Sequence, residues 1–199
     1  MPIIYSKVTV GPDVEPVTLV EAKSHLRVDH NDEDALISVL TQAAREMVEN
    51  NTNRSLITQT RVIKLDGFPW GDTLKLTDGP VSSITSIYYD DDADVNTLLA
   101  SSLYWTDLDS NIPRVRIKSS FPSTYDKPNS VQITYVAGYG ADGTYIPQPL
   151  KQAMLLILGH LYENRQQVIV SGSPTGALEI PFGANALMSP YILEQSVVY

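Results

Sequence analysis

Apolar positions recur every three or four residues near the start of the chain, every second residue through the middle, and almost without a gap over residues 150–162. These three regimes predict helices, then strands, then one helix of a different kind. The first helix begins at Thr18-Leu19-Val20-Glu21, where Thr18 as N-cap and Glu21 three residues on make a capping box. Leu19, Ala22 and Leu26 line one face through Val28, and Asp29-His30-Asn31 favours a turn. A second helix is predicted from about Asp32 to Asn51. Its acidic start suits the helix dipole. Its apolar stripe is Leu36, Leu40, Ala43 and Met47, widened by Ile37, Ala44 and Val48. Arg45 and Glu49, four apart, are expected to pair on its wet side.

From Ser55 to Gly140 the spacing falls to two. Strands are predicted at Thr58–Leu65, Thr73–Leu76, Ser83–Tyr89, Leu103–Asp107, Arg114–Ile117 and Val131–Ala137, with turns at Asp78-Gly79-Pro80 and Asp90 to Asp94. The connections are too short for helical crossovers, so the block reads as antiparallel.

Pro149 then opens the segment LKQAMLLILGHLY, in which Ala153 to Leu158 are apolar without a break. Such a helix is apolar almost all round. A bilayer span needs about 20 apolar residues, so this one is expected to be buried on every side within protein. Fully burying one Leu or Ile is worth about 1.5–3 kcal/mol. Leaving two or three of Leu155, Leu156, Leu158 and Leu161 wet would therefore forfeit much of a net stability of about 5–15 kcal/mol. Either the β block or a neighbouring copy is expected to cover that face.

The order helix, helix, sheet, helix gives an α+β fold. Residues 1–55 and 147–170 are expected to form a small helical bundle, residues 56–146 an inserted antiparallel β domain, and residues 171–199 an extended C-terminal arm. The arm opens on Ser171-Gly172-Ser173-Pro174 and carries apolar islands at Ile180-Pro181-Phe182 and Ala186 to Tyr191. It either docks on another molecule or packs back on its own subunit.

Charge and composition narrow the function. The formal charge is −9 and no basic run appears, which argues against a protein that grips phosphates. It leaves open one that surrounds DNA without holding it. The absence of cysteine excludes a disulfide framework and thiolate metal sites and suits a reducing compartment. The first ten residues lack a signal-peptide pattern.

Candidate chemistry is thin. Gly138-Tyr139-Gly140-Ala141-Asp142-Gly143 matches G-x-G-x-x-G, yet no helix follows at once and no βαβ unit surrounds it, so a strand-leaving turn is the better reading. Asp90, Asp92 and Asp94 alternate as in a calcium loop, but Val95 and Ser101 stand where glycine and glutamate are needed. Asp13, Glu21 and Lys23 echo a metal-dependent nuclease, although Glu21 is better explained as a cap. His160 and Glu163 lie three apart on one helix, which suits a hydrogen bond more than a metal. Tyr88, Tyr89, Tyr104, Trp105 and Tyr135 fall on the sheet without interleaved cations, which favours packing or a protein interface over base stacking.

Several segments taken together resemble the tailed-bacteriophage head–tail connector (portal adaptor) family. They are residues 18–29 (TLVEAKSHLRVD), Asp32 to Ile37, Ala43 to Glu49, Pro149 to Ala153, Gly159 to Arg165, Ile180 to Gly183, Ala186-Leu187 and Pro190-Tyr191. The likeness is strong on both flanks and loose over residues 57–140. It implies a non-enzymatic virion protein of the neck, assembled in the host cytoplasm. About twelve copies would form a head-to-tail ring beneath the portal, each presenting two different surfaces. Partners would be other copies, the portal, and a tail or stopper protein, with DNA passing through the lumen. No cofactor, metal, catalytic residue or membrane is implied. Leu155, Leu156, Leu158, Leu161 and Tyr162 are the expected subunit interface, and Ile180, Phe182, Leu187, Tyr191 and Ile192 the expected portal-docking arm. A tail-completion or terminator ring, or a small metal-dependent DNA-processing enzyme, are the alternatives.

Overall fold

The computed structural model describes residues 5–165 and 181–193. The chain divides into two compact units. One holds the strands and takes in residues 1–13, 53–139 and 193–199; the other holds the helices and takes in residues 14–52 and 140–192.

The β unit has eight described strands: β1 (Tyr5–Val10), β2 (Gln59–Leu65), β3 (Thr73–Lys75), β4 (Val81–Asp90), β5 (Asn96–Leu98), β6 (Tyr104–Asp107), β7 (Arg114–Ile117) and β8 (Val131–Ala137). They form a five-stranded sheet in the order β1-β2-β8-β4-β5 and a three-stranded sheet in the order β3-β7-β6, antiparallel throughout. The register places Ile133 of β8 opposite Ile63 of β2 on one side and Ile87 of β4 on the other. Directly opposed residues share a sheet face, so the three isoleucines make one buried row. Leu74, Val115 and Ile117 of the smaller sheet join the same core. Tyr135 is fully buried there and its hydroxyl donates to the Thr77 carbonyl at 3.0 Å. Burial, then the nearby Asp78 carboxylate, pushes its pKa up to about 12.

All six predicted strands form, and two more appear. β1 lies within residues assigned from the sequence to the helical bundle. It is an edge strand whose Lys7, Thr9 and Val10 are exposed, so it lacks the apolar alternation of a buried one. β5 spans only three residues.

The helical unit contains α1 (Leu19–Leu26), α2 (Asp34–Thr52), α3 (Gln148–Glu163) and α4 (Phe182–Met188). The capping box is present: the Glu21 N–H donates to Thr18 Oγ1 at 3.2 Å, and the Thr18 N–H donates to Glu21 Oε2 at 2.8 Å. α1 stops one residue short of Arg27, which turns left-handed at φ 58°.

α2 is rotated relative to the expected stripe. Its buried face is Ile37, Thr41, Ala44, Val48 and Thr52, while Leu36, Leu40, Ala43 and Met47 are half-exposed. The two threonines tolerate burial because their hydroxyls donate back to the Ile37 and Val48 carbonyls at 2.8 and 2.7 Å. Arg45 and Glu49 do pair, at 2.8 Å, but not on the wet side: both are buried. Glu15, in the segment before α1, binds the other edge of the guanidinium at 2.9 Å and folds that segment over the pair.

α3 buries Leu150, Ala153, Met154, Ile157 and Leu158. These positions make a single stripe rather than a full circumference. Part of its second face is taken by α4, which packs on α3 with Ala184 and Met188 buried. No described helix is long and apolar enough to cross a membrane.

Candidate assembly surface

The five residues expected at a subunit interface do not share one environment. Leu158 is buried within its own helical unit, so it is committed to the core. Leu155, Leu156, Leu161 and Tyr162 are half-buried. Leu156 meets α4: a Cβ built on Gly183 would lie 3.5 Å from a Leu156 methyl. Leu155 and Leu161 keep part of their surface open.

Tyr162 is held in a polar cluster. Its hydroxyl donates to Glu33 Oε2, and Arg165 Nη2 donates to Glu33 Oε1 at 2.6 Å. The Arg165 guanidinium also lies 4.6 Å above the Tyr162 ring. The two hydrogen bonds, Tyr162's first, hold the Glu33 carboxyl below its usual pKa, and the same bond raises that of Tyr162. The cluster ties the end of α3 to the residue just before α2.

Of the arm residues, Ile180 lies outside the described residues. Phe182, the first residue of α4, is 90% exposed. Leu187 and Tyr191 are half-buried, and Ile192 is exposed. The described part of the arm thus packs on α3 through one side of a short helix and leaves an aromatic ring outside. Leu193, next in the chain, is buried in the β unit, where Asn53 Nδ2 donates to its carbonyl at 2.7 Å.

The sequence reading missed the outer face of α2. Leu36, Leu40, Ala43 and Met47 recur at helical spacing beside Val39, which is 64% exposed. The stripe was visible in the sequence; its outward direction was not. Together with Leu155 and Leu161, it leaves apolar surface on two different helices of the unit.

The weak chemical motifs have local structural jobs. Gly138 has φ +135°, and a Cβ there would lie 2.5 Å from the Ile57 backbone. A Cβ at Gly143 would lie 2.1 Å from the Pro16 carbonyl oxygen. Close backbone approach therefore accounts for these glycines without a phosphate. Asp91 Oδ1 accepts from the Ala93 and Val95 N–H groups, and Lys127 pairs with Asp90 and Asp94, so the acidic run closes the β4–β5 hairpin. Glu21 serves the cap and a 2.9 Å pair with Lys151. The His160 ring contacts the Asn164 side chain at 3.3 Å.

The model of the head completion protein family matches residues 16–176. The chain belongs to that family. Three solved structures match its fold over nearly the whole length. A chain from the neck of an empty gene transfer agent (GTA) particle, computed with C6 symmetry, is 24% identical with a TM-score of 0.80, covering 97% of both chains. One from the virion of a native GTA particle is 25% identical with a TM-score of 0.79, covering 96% of this chain and 97% of that one. One from the neck of a native GTA particle, computed with C12 symmetry, is 24% identical with a TM-score of 0.74, covering 98% and 97%. No curated protein matches. This head completion protein is accordingly a structural component of a phage-like head–tail joint.

Proposed function

We propose that this head completion protein forms a ring of about twelve copies beneath the portal, joins the DNA-filled head to the tail or its stopper, and lets DNA pass without catalysing a reaction. The observation that carries the reading is the surplus apolar surface of the helical unit: the α2 stripe with Val39, and the open parts of Leu155 and Leu161 on α3. A closed ring built from head-to-tail contacts uses two different surfaces on each copy, and two are available. The GTA neck chain computed with C12 symmetry supports the copy number. The net charge of −9 supports passage of DNA without adhesion. Phe182 is the handle with which the arm would dock on the portal, and Leu187, Tyr191 and Ile192 would flank it.

The test is V39E, alone and with L40E. Val39 faces outward and Leu40 is half-exposed, so the far-ultraviolet circular dichroism spectrum of V39E is expected to match the parent. Ring formation on isolated portal, imaged by electron microscopy, is expected to fail. Normal rings from the double variant would overturn the interface. Binding to tail tubes in place of portal would move the ring to the tail side, and DNA cleavage by the pure protein with magnesium would overturn the non-enzymatic assignment.

A further inference from the structure

The chain has two tryptophans, and both lie outside the core of the β unit. Trp70 is 91% exposed and Trp105 is 56% exposed. Trp70 sits at the tip of the loop Asp66–Asp72 between β2 and β3. This loop is anchored at three points. Phe68 stacks on Phe121 with ring centroids 4.5 Å apart. Asp66 Oδ1 accepts from the Asn129 N–H at 2.9 Å, and Asp72 pairs with Arg116 at 2.8 Å. An indole held out to solvent on a braced loop loses little freedom on docking, and burying it removes about 150–250 Å² of surface from water.

Trp105 belongs to a groove of about 520 Å³ lined by Ser83, Ile84, Ser101, Tyr104 and Leu108, among others. One wall is the first half of β4, which among the described residues has no strand on its groove side, because β5 pairs with Tyr88–Asp90. The other wall is β6, which among the described strands pairs with β7 alone. The lining is hydroxyl, aromatic and aliphatic, and Lys118 Nζ lies 5.4 Å from the Trp105 ring at the rim. Of the two carboxylates in the Trp70 loop, DGFPWGD, Asp72 is paired with Arg116 and Asp66 is in no ion pair among the described residues, so the loop brings one negative charge toward Lys118.

Strand order places these two features apart. In β3-β7-β6 the Trp70 loop leads into β3 on one edge, and the groove runs along β6 on the other. We propose that Trp70 of one copy seats in the groove between β4 and β6 of the next copy, giving the ring a second contact between β units. The inference rests on the ring reading above. A protruding group on one edge and a receptor on the opposite edge make a heterologous contact, which a rotational ring repeats without remainder.

The absence of native cysteine makes the test clean. Trp70→Cys and Ser83→Cys, both at exposed positions, are combined in one chain, assembled on portal and treated with a short bismaleimide. A ladder of covalent oligomers beyond the dimer is expected from the double variant and none from either single variant. In parallel, Trp70→Phe leaves Trp105 as the sole indole reporter. Its acrylamide quenching is expected to fall less on assembly than quenching of the unaltered protein, whose two indoles become covered together. Rings that form without a ladder, or a ladder that ends at dimers, overturn this contact and leave the ring standing. Rings in which the unaltered protein's tryptophans stay fully quenchable do the same. Failure of the unaltered protein to form any ring in that preparation overturns both readings.

Discussion

Replacing Arg45 by methionine isolates the energetics of the buried ion cluster in the helical unit. The Arg45 side chain is 7% exposed and bridges Glu49, 10% exposed, and Glu15, 32% exposed. Methionine keeps most of the packing volume and removes the Arg45 charge from beside the buried Glu49 carboxylate. Breaking one side of a buried pair costs about 3–5 kcal/mol. Glu15 is open enough to rehydrate, so the loss belongs near the lower figure, about 3 kcal/mol. At about 2–4 °C per kcal/mol for a chain of this size, Tm is expected to fall by about 6–12 °C. The decisive comparison is with E49L and the double variant R45M/E49L. Replacing a whole buried pair by apolar groups is often neutral or stabilising, so the double variant is expected to recover most of the loss. Urea denaturation followed by circular dichroism at 222 nm measures all four proteins. If R45M stays within about 0.5 kcal/mol of the parent, or the double variant is no more stable than R45M, the cluster does not hold the segment around Glu15 on α2 as reasoned.

Other outcomes follow from single contacts. Gly138→Ala meets both a left-handed φ and the Ile57 backbone and is expected to abolish soluble expression, whereas Gly11→Ala, with nothing within 4 Å, is expected to be near neutral. Glu33 has a folded pKa below its unfolded value of about 4.3, so the stability it contributes is present above that pH and is lost as pH falls through the folded value. The Tm gap between the parent and E33Q is therefore expected to be present at pH 7 and to narrow as pH is lowered below about 4.3; a gap that does not narrow there would contradict the hydrogen-bond cause. Absorbance titration at 295 nm is expected to show a tyrosine that ionises only near pH 12, and Y135F is expected to remove that step.

What the sequence made legible was local. Thr18 and Glu21 announce a helix start because the capping geometry is satisfied within four residues. The alternation at Val131–Ala137 announces a strand because both its neighbours present matching faces. The failures share another cause: each depended on a group distant in the chain. Arg45 and Glu49 look like a solvent-facing pair until Glu15 arrives from thirty positions earlier. The α2 stripe and its neighbour at Ile37 and Ala44 are both apolar, and only the packing of α3 and α4 decides which turns inward. The second face of α3 was assigned to the β block or another copy, yet part of it is occupied by α4, whose seven residues are too few to announce their destination. The candidate assembly residues split along the same line. Leu158 falls in the intrachain stripe and Leu155 beside it does not, a distinction of about 60° around a helix that is apolar on both sides.

The helical unit is discontinuous: α1 and α2 come from residues 14–52, and α3 and α4 come after residue 139. A ribosome adding about 5–20 residues per second spends roughly 4–17 s on the intervening stretch. Throughout that interval, on every copy, Ile37, Ala44 and Val48 wait without the helix that will cover them. Chains emerging close together would present this face to one another before any is finished. Sensitivity of yield to translation speed is therefore an expected outcome of the order in which this polypeptide is made.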